Sequence, residues 1–161
     1  MSRTAATFLL LASLATPAMA QELTAMVATY GPFGLNDLDG DLPTSAELRV
    51  TVPISKTLAV EPFGTVWSRG TGVEGLYGVQ VRQRIVPVDG RRGYVFATYG
   101  AAGYAYRGSF ESVIAGLFGL GLHHRVTGHL AFRSDLQLVT LHVIPIGARF
   151  TVGLSFHRRR S

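Results

Sequence analysis

Histidines, an aspartate triplet and scattered arginines are the residues whose types and spacing could do chemistry in this chain. A hydrolytic hydroxyl needs a base beside it and a third group to orient that base. His124 stands three residues before Thr127 and His129 five before Ser134, while His142 and His157 have no hydroxyl two residues on. No nucleophile–base pair is spelled out, so no catalytic residue is assigned. His123, His124 and His129 surround one candidate turn, and imidazole is the commonest metal ligand. Adjacent histidines in an extended segment point to opposite faces, however, and no carboxylate or thiol completes the set locally. Interfacial histidines and no metal site are the expectation. Asn36-Asp37-Leu38-Asp39-Gly40-Asp41 places oxygen ligands at alternate positions with a glycine for the turn, half of a calcium loop without its distant bidentate Glu. A solvated acidic loop is expected there, with Asp37, Asp39 and Asp41 as a weak calcium alternative. No cofactor is implied.

The first twenty residues read as a processing segment. Arg3 is the positive n-region, Phe8 to Ala15 the short apolar run, Pro17 its break, and Ala18-Met19-Ala20 the cleavage site. The apolar run is well short of the roughly 17–25 residues of a spanning helix. Sec-type export with cleavage near Ala20 is expected, leaving residues 21–161 as one domain. With 0 cysteines, no disulfide or thiolate site is available.

Candidate side chains must be positioned by strands. Period-2 alternation runs from about residue 22 to the end, with helical periodicity essentially absent. It predicts strands near 22–31, 45–52, 57–67, 74–86, 93–105, 112–123, 129–140 and 146–157. Connections at 53–56, 87–91 and 125–128 read as tight turns, and those near 32–44, 68–73, 106–111 and 141–145 as more variable loops. Each strand is two-sided. Leu130, Phe132, Leu136 and Leu138 oppose Arg133, Asp135 and Gln137; Phe150, Val152, Leu154 and Phe156 oppose Arg149, Thr151, Gly153 and Ser155; Leu48, Val50 and Val52 oppose Glu47, Arg49 and Thr51; Tyr77, Val79 and Val81 oppose Gln80, Arg82 and Arg84.

Alternation alone does not say which face meets solvent. A soluble barrel of lipocalin type, polar outside and binding an apolar ligand within, has the same period as a membrane barrel turned the other way. A water-facing surface carries about 25–35% charged residues, whereas this chain has 16% overall, a single lysine (Lys56) and a mean hydropathy of +0.27. The sparse polar face therefore belongs inside. It predicts a lumen ion-pair network of Glu47, Arg49, Glu61, Arg82, Arg84, Arg133, Asp135 and Arg149, in which guanidinium suits desolvated pairing better than ammonium would. Aromatics at strand ends, including Tyr30, Trp67, Tyr94, Tyr104, Tyr106 and Phe156, are expected to form interfacial girdles. The net charge of +5 is scattered and not interleaved with aromatics, which excludes nucleic acid as a partner.

Residues 119–136, Gly119-Leu120-Gly121-Leu122-His123-His124-Arg125-Val126-Thr127-Gly128-His129-Leu130-Ala131-Phe132-Arg133-Ser134-Asp135-Leu136, resemble the penultimate hairpin of the small eight-stranded outer-membrane barrels of OmpA/OmpX-like and opacity type. Residues 146–156 resemble their closing strand. The resemblance implies an all-β, closed up-and-down transmembrane barrel of about eight strands in the outer membrane of a Gram-negative bacterium. It also implies an assembly signal at Phe150, Val152, Leu154 and Phe156, read by the barrel-assembly machinery. Here Phe156 is followed by His157-Arg158-Arg159-Arg160-Ser161, whereas the usual signal ends the chain, and no peptidoglycan-binding domain follows. Lipid A deacylases of this general shape use His-x-Ser, which is missing, so the expectation is a non-enzyme; a lipid A-modifying enzyme stays as the alternative. The expected partners are outer-membrane lipid and lipopolysaccharide around a monomer with a side-chain-filled lumen and a structural or surface-interaction role. On the weaker calcium reading the Asp37–Asp41 loop would bridge lipopolysaccharide phosphates, and Arg158–Arg160 either touch anionic headgroups or form a frayed tail with no role.

Overall fold

Uninterrupted alternation of apolar and polar residues leaves the backbone one economical solution, extended strands that pair on both edges. The computed structural model describes residues 22–32, 44–69, 72–88, 92–106, 109–141 and 144–157. These form eight strands: β1 (Glu22–Pro32), β2 (Thr44–Pro53), β3 (Leu58–Arg69), β4 (Gly72–Val88), β5 (Gly93–Tyr106), β6 (Ser109–Arg125), β7 (Leu130–Leu141) and β8 (Ile144–His157). Each pairs antiparallel with its sequence neighbours, and β1 pairs with β8 from Glu22↔His157 to Pro32↔Gly147, closing the barrel without an edge. A membrane-spanning strand needs about 9–11 residues; the shortest strand, β2, has 10, and β4 and β6 have 17 each. The signal segment, Asp37, Asp39 and Asp41, and Arg158–Arg160 lie outside the described residues.

An even number of strands brings both ends of the barrel chain, Glu22 and His157, to the end closed by connections 54–57, 89–92 and 126–129. Two of these turns use the same device. Ser55 Oγ accepts from the Thr57 and Leu58 N–H groups at 3.2 and 3.1 Å, and Thr127 Oγ1 accepts from those of His129 and Leu130 at 3.3 and 3.1 Å. A side-chain hydroxyl thereby replaces a backbone acceptor in the turn. The opposite end departs from the expected contrast. Strand pairing there continues to Arg69↔Gly72, Tyr106↔Ser109 and Leu141↔Ile144, which leaves two residues between strands in each case. Only 33–43 is a long connection.

The barrel is apolar outside and polar inside. On β7, Phe132, Leu136 and Leu138 are exposed while Arg133, Asp135 and Gln137 are buried; on β8, Phe150, Leu154 and Phe156 are exposed while Arg149, Thr151 and Ser155 are buried. This is the distribution of a membrane-spanning barrel and the reverse of a soluble one. The aromatic girdle expected at the strand ends is different in the structure. Trp67, Tyr94 and Tyr104 turn to the lumen side, where each meets polar partners, and Tyr30 packs on a buried apolar cluster. Phe156 does face outward, together with Tyr99, Phe118, Phe132 and Phe150. At strand ends a one-residue difference in parity reverses the face, so position alone could not decide it.

A narrow lumen also needs close approach at particular points. A Cβ on Gly121 would sit 2.6 Å from the Ser134 carbonyl oxygen and collide with the Phe96 ring, which is itself fully buried. Backbone and ring cannot both yield, so Gly121→Ala is expected to cost about 1–3 kcal/mol through overpacking. Urea unfolding in lipid vesicles would check this, with an unchanged midpoint contradicting it.

Candidate functional site

The polar lumen is the largest concentration of ionisable groups among the described residues, and it is built by inward positions of β1–β4, β7 and β8. Eight charges form one alternating chain. Arg82 bridges Glu22 (3.1 Å) and Glu61 (3.2 Å), and Arg133 bridges Glu61 (2.8 Å) and Asp135 (3.1 Å). Arg49 then joins Asp135 to Glu47, and Glu47 pairs with Arg149. Four guanidiniums meet four carboxylates, so the network is neutral and the chain's excess positive charge lies elsewhere.

Arg133 is the centre of this network. It crosses from β7 to β3, the opposite strand, and donates to both Glu61 oxygens at 2.8 Å while its Nε donates to Asp135 Oδ1 at 3.1 Å. Its guanidinium also lies 4.7 Å from the Phe96 ring centroid. This bidentate fork is what lysine could not supply. Neutral groups complete the remaining hydrogen bonds. Gln80 donates to Glu61 (2.8 Å), Gln137 donates to Gln80 (2.8 Å) and Thr98 (3.1 Å), Thr51 donates to Glu61 (2.9 Å), and Thr65 donates to Glu47 (2.6 Å) while accepting from Arg149 (2.8 Å).

Toward the end opposite the chain termini the lumen changes character. Phe63, Ala102, Ala115, Leu117 and Val139 form a buried apolar cluster with Tyr30 and Leu76 against it, and Arg149 lies 5.4 Å above the Phe63 ring. Beyond this, Glu74 accepts from Trp67 Nε1 at 3.1 Å and from the Tyr104 hydroxyl. At the level of the cluster, apolar side chains take the place of the ion pairs.

Of the residues the sequence pointed to for the lumen, the structure brings together Glu47, Arg49, Glu61, Arg82, Arg133, Asp135 and Arg149. Arg84 is a correction. It is still in register with Phe96 on β5, on the inward side, but it is exposed at the mouth with its guanidinium 4.1 Å from the Tyr94 centroid rather than on a carboxylate. Glu22 was missed, although its place as the first inward residue of β1 follows from the same alternation that flagged the others. Gln80, Gln137 and the threonine hydroxyls were also missed as partners; neutral polar residues carry no charge signal. His123 and His124 do point to opposite faces. His123 is 2% exposed in the lumen, where it meets His157 and Glu22 rather than His129. Phe150, Val152, Leu154 and Phe156 all face outward on β8, beside the β1 seam.

No family model and no curated protein matches the chain. Solved structures do resemble it in fold. Neisserial surface protein A aligns with a TM-score of 0.59 at 12% identity, covering 85% of this chain and 96% of that one. Ail, the attachment invasion locus protein of Yersinia pestis, aligns at 0.54 with 16% identity, covering 87% and 100%. A de novo designed transmembrane β-barrel aligns at 0.52 with 12% identity, covering 84% and 95%. At these identities the likeness establishes the closed eight-stranded fold.

Proposed function

We propose that this chain is a small outer-membrane barrel of a Gram-negative bacterium, a monomer in lipid and lipopolysaccharide, with a structural or surface-interaction role and no enzymatic activity. One observation carries the reading: large apolar side chains cover the outside while the charges close on themselves within. Leu120 and Leu136, each 58% exposed, are paired neighbours on adjacent strands and would form a costly apolar patch in water. The lipocalin-like alternative requires an apolar chamber, and the middle of this interior is occupied by ion pairs. In the proposed pathway a Sec signal is removed near Ala20, and the outward Phe150, Val152, Leu154 and Phe156 form the signal read by the barrel-assembly machinery. Two structural neighbours, one named a surface protein and the other for attachment and invasion, support an external role, for which 33–43 is the longest connection available.

Cell fractionation combined with gel mobility tests this directly. The protein is expected in the outer-membrane fraction, migrating differently before and after boiling as closed barrels do; a soluble periplasmic product of unchanged mobility would overturn the reading. With buried ion pairs and then an apolar cluster occupying the lumen, refolded protein in planar bilayers is expected to show no steady large conductance. Lipid A from cells with and without the gene is expected to have the same mass spectrum, and a lost or gained acyl chain would favour the enzymatic alternative.

A further inference from the structure

At the end where the chain termini meet, the lumen opens into a cavity of about 360 Å³ that includes Glu22, His123 and His157 in its lining. These three come from β1, β6 and β8. Glu22 and His157 are direct cross-strand partners, and His123 reaches them past β7, whose first inward residue is the small Ala131. One ligand atom from each lies within 4.8 Å of the other two. His123 Nε2 is 3.5 Å from Glu22 Oε1, and His157 Nδ1 is 3.9 Å from Glu22 Oε2.

The imidazoles touch the ion-pair network only at Glu22, at the long end of ion-pair distance. Both ring nitrogens of His123 and Nε2 of His157 are buried without a hydrogen-bond partner. An orphaned buried polar atom is costly and calls for an explanation. The rings are nonetheless held in place, His123 stacked on Tyr94 at 4.7 Å and edge-on to His157 at 5.2 Å between centroids. From these observations we infer that Glu22, His123 and His157 form a binding site for a borderline transition-metal ion of the zinc class, at the terminal mouth of the barrel.

Zinc bound by two imidazoles and a carboxylate at about 2.0–2.2 Å requires ligand atoms about 3.3–3.5 Å apart in a tetrahedron. The Glu22–His123 separation already meets this, and His157 must move in from a spacing of up to 4.8 Å. Nitrogen donors select zinc, nickel or copper over calcium and magnesium, which take oxygen shells. Arg82 holds the same carboxylate and would act as its outer-shell partner, its charge shared with Glu61. The fourth position would open on the cavity. Lys56, Arg84 and Arg125 also line that cavity; they oppose a bare cation and favour water or a small anion as the fourth ligand.

The test is titration of metal-stripped protein in detergent micelles with Zn2+ and Co2+. One zinc per barrel is expected, with calcium and magnesium silent, and cobalt should develop the visible absorption of a four-coordinate ion. His123→Gln and His157→Gln should each weaken zinc binding by at least about tenfold, whereas a His124→Gln/His129→Gln variant should bind as the parent does. Heat-modifiable mobility establishes that each variant has closed. Should His123→Gln fail to close, His157→Gln at the strand end and the cobalt spectrum of the parent still decide. No zinc binding by the parent, a cobalt spectrum identical to that of the ion in buffer, or equal affinity in folded His157→Gln would overturn the site.

Discussion

Arg133→Met is expected to lower the unfolding free energy of the barrel by about 3–5 kcal/mol, the cost of leaving buried charge without its partner. Both Glu61 and Asp135 lose hydrogen bonds in this variant, and each is essentially inaccessible to water. The side chains are similar in length, so lost packing contributes little. Urea titration in phospholipid vesicles, followed by the fluorescence of the single tryptophan, Trp67, measures the loss. Removing one carboxylate as well, with Glu61→Gln, should recover part of it, because three guanidiniums then face three carboxylates and Asp135 keeps Arg49. A loss below about 1 kcal/mol, the size of an exposed ion pair, would mean that water reaches the network.

Leu136→Arg should cost about 2–4 kcal/mol in a bilayer, the penalty for a cationic side chain near the midplane of a barrel's lipid face. Leu136 lies in the middle of β7, flanked outward by Leu120 on β6 and Phe150 on β8. On a water-facing surface the same substitution would stay within about 0.5 kcal/mol. The comparison therefore separates the two solvents by a margin larger than the uncertainty of vesicle titrations. Stability unchanged by Leu136→Arg would remove the basis for placing lipid around the barrel.

The alternating faces of β2, β7 and β8 were legible in the sequence because a period of two with a thinly charged polar side has one arrangement that satisfies both. All eight charges named from the sequence lie on the face their parity assigns, and seven of them join the ion pairs. Their pairing was not legible. Whether Arg133 meets Glu61 on the opposite strand or Asp135 on its own depends on barrel shear and side-chain reach, and it meets both. Arg84 keeps the inward parity, in register with the buried Phe96, but it lies at the mouth beyond the reach of the carboxylates and stacks on Tyr94 instead. The inward turn of Trp67 and Tyr104 follows from Glu74, whose carboxylate satisfies an indole N–H and a phenol that would otherwise favour an interface. Nothing in the spacing of His123 and His157, 34 positions apart in the sequence, announced that closure would bring them together with Glu22.

The route of the guanidiniums across the lumen bears on how this protein gets into its final state. Arg133 on β7 needs Glu61 on β3, Arg49 on β2 needs Asp135 on β7, and Arg149 on β8 needs Glu47 on β2. The first four strands hold three of the acids and two of the arginines; the last four hold the reverse excess. Neither half can settle its own charges, so a partly wound sheet entering hydrocarbon would carry naked ions. Insertion and seam closure are thereby coupled, since no half-inserted sheet satisfies its own charges.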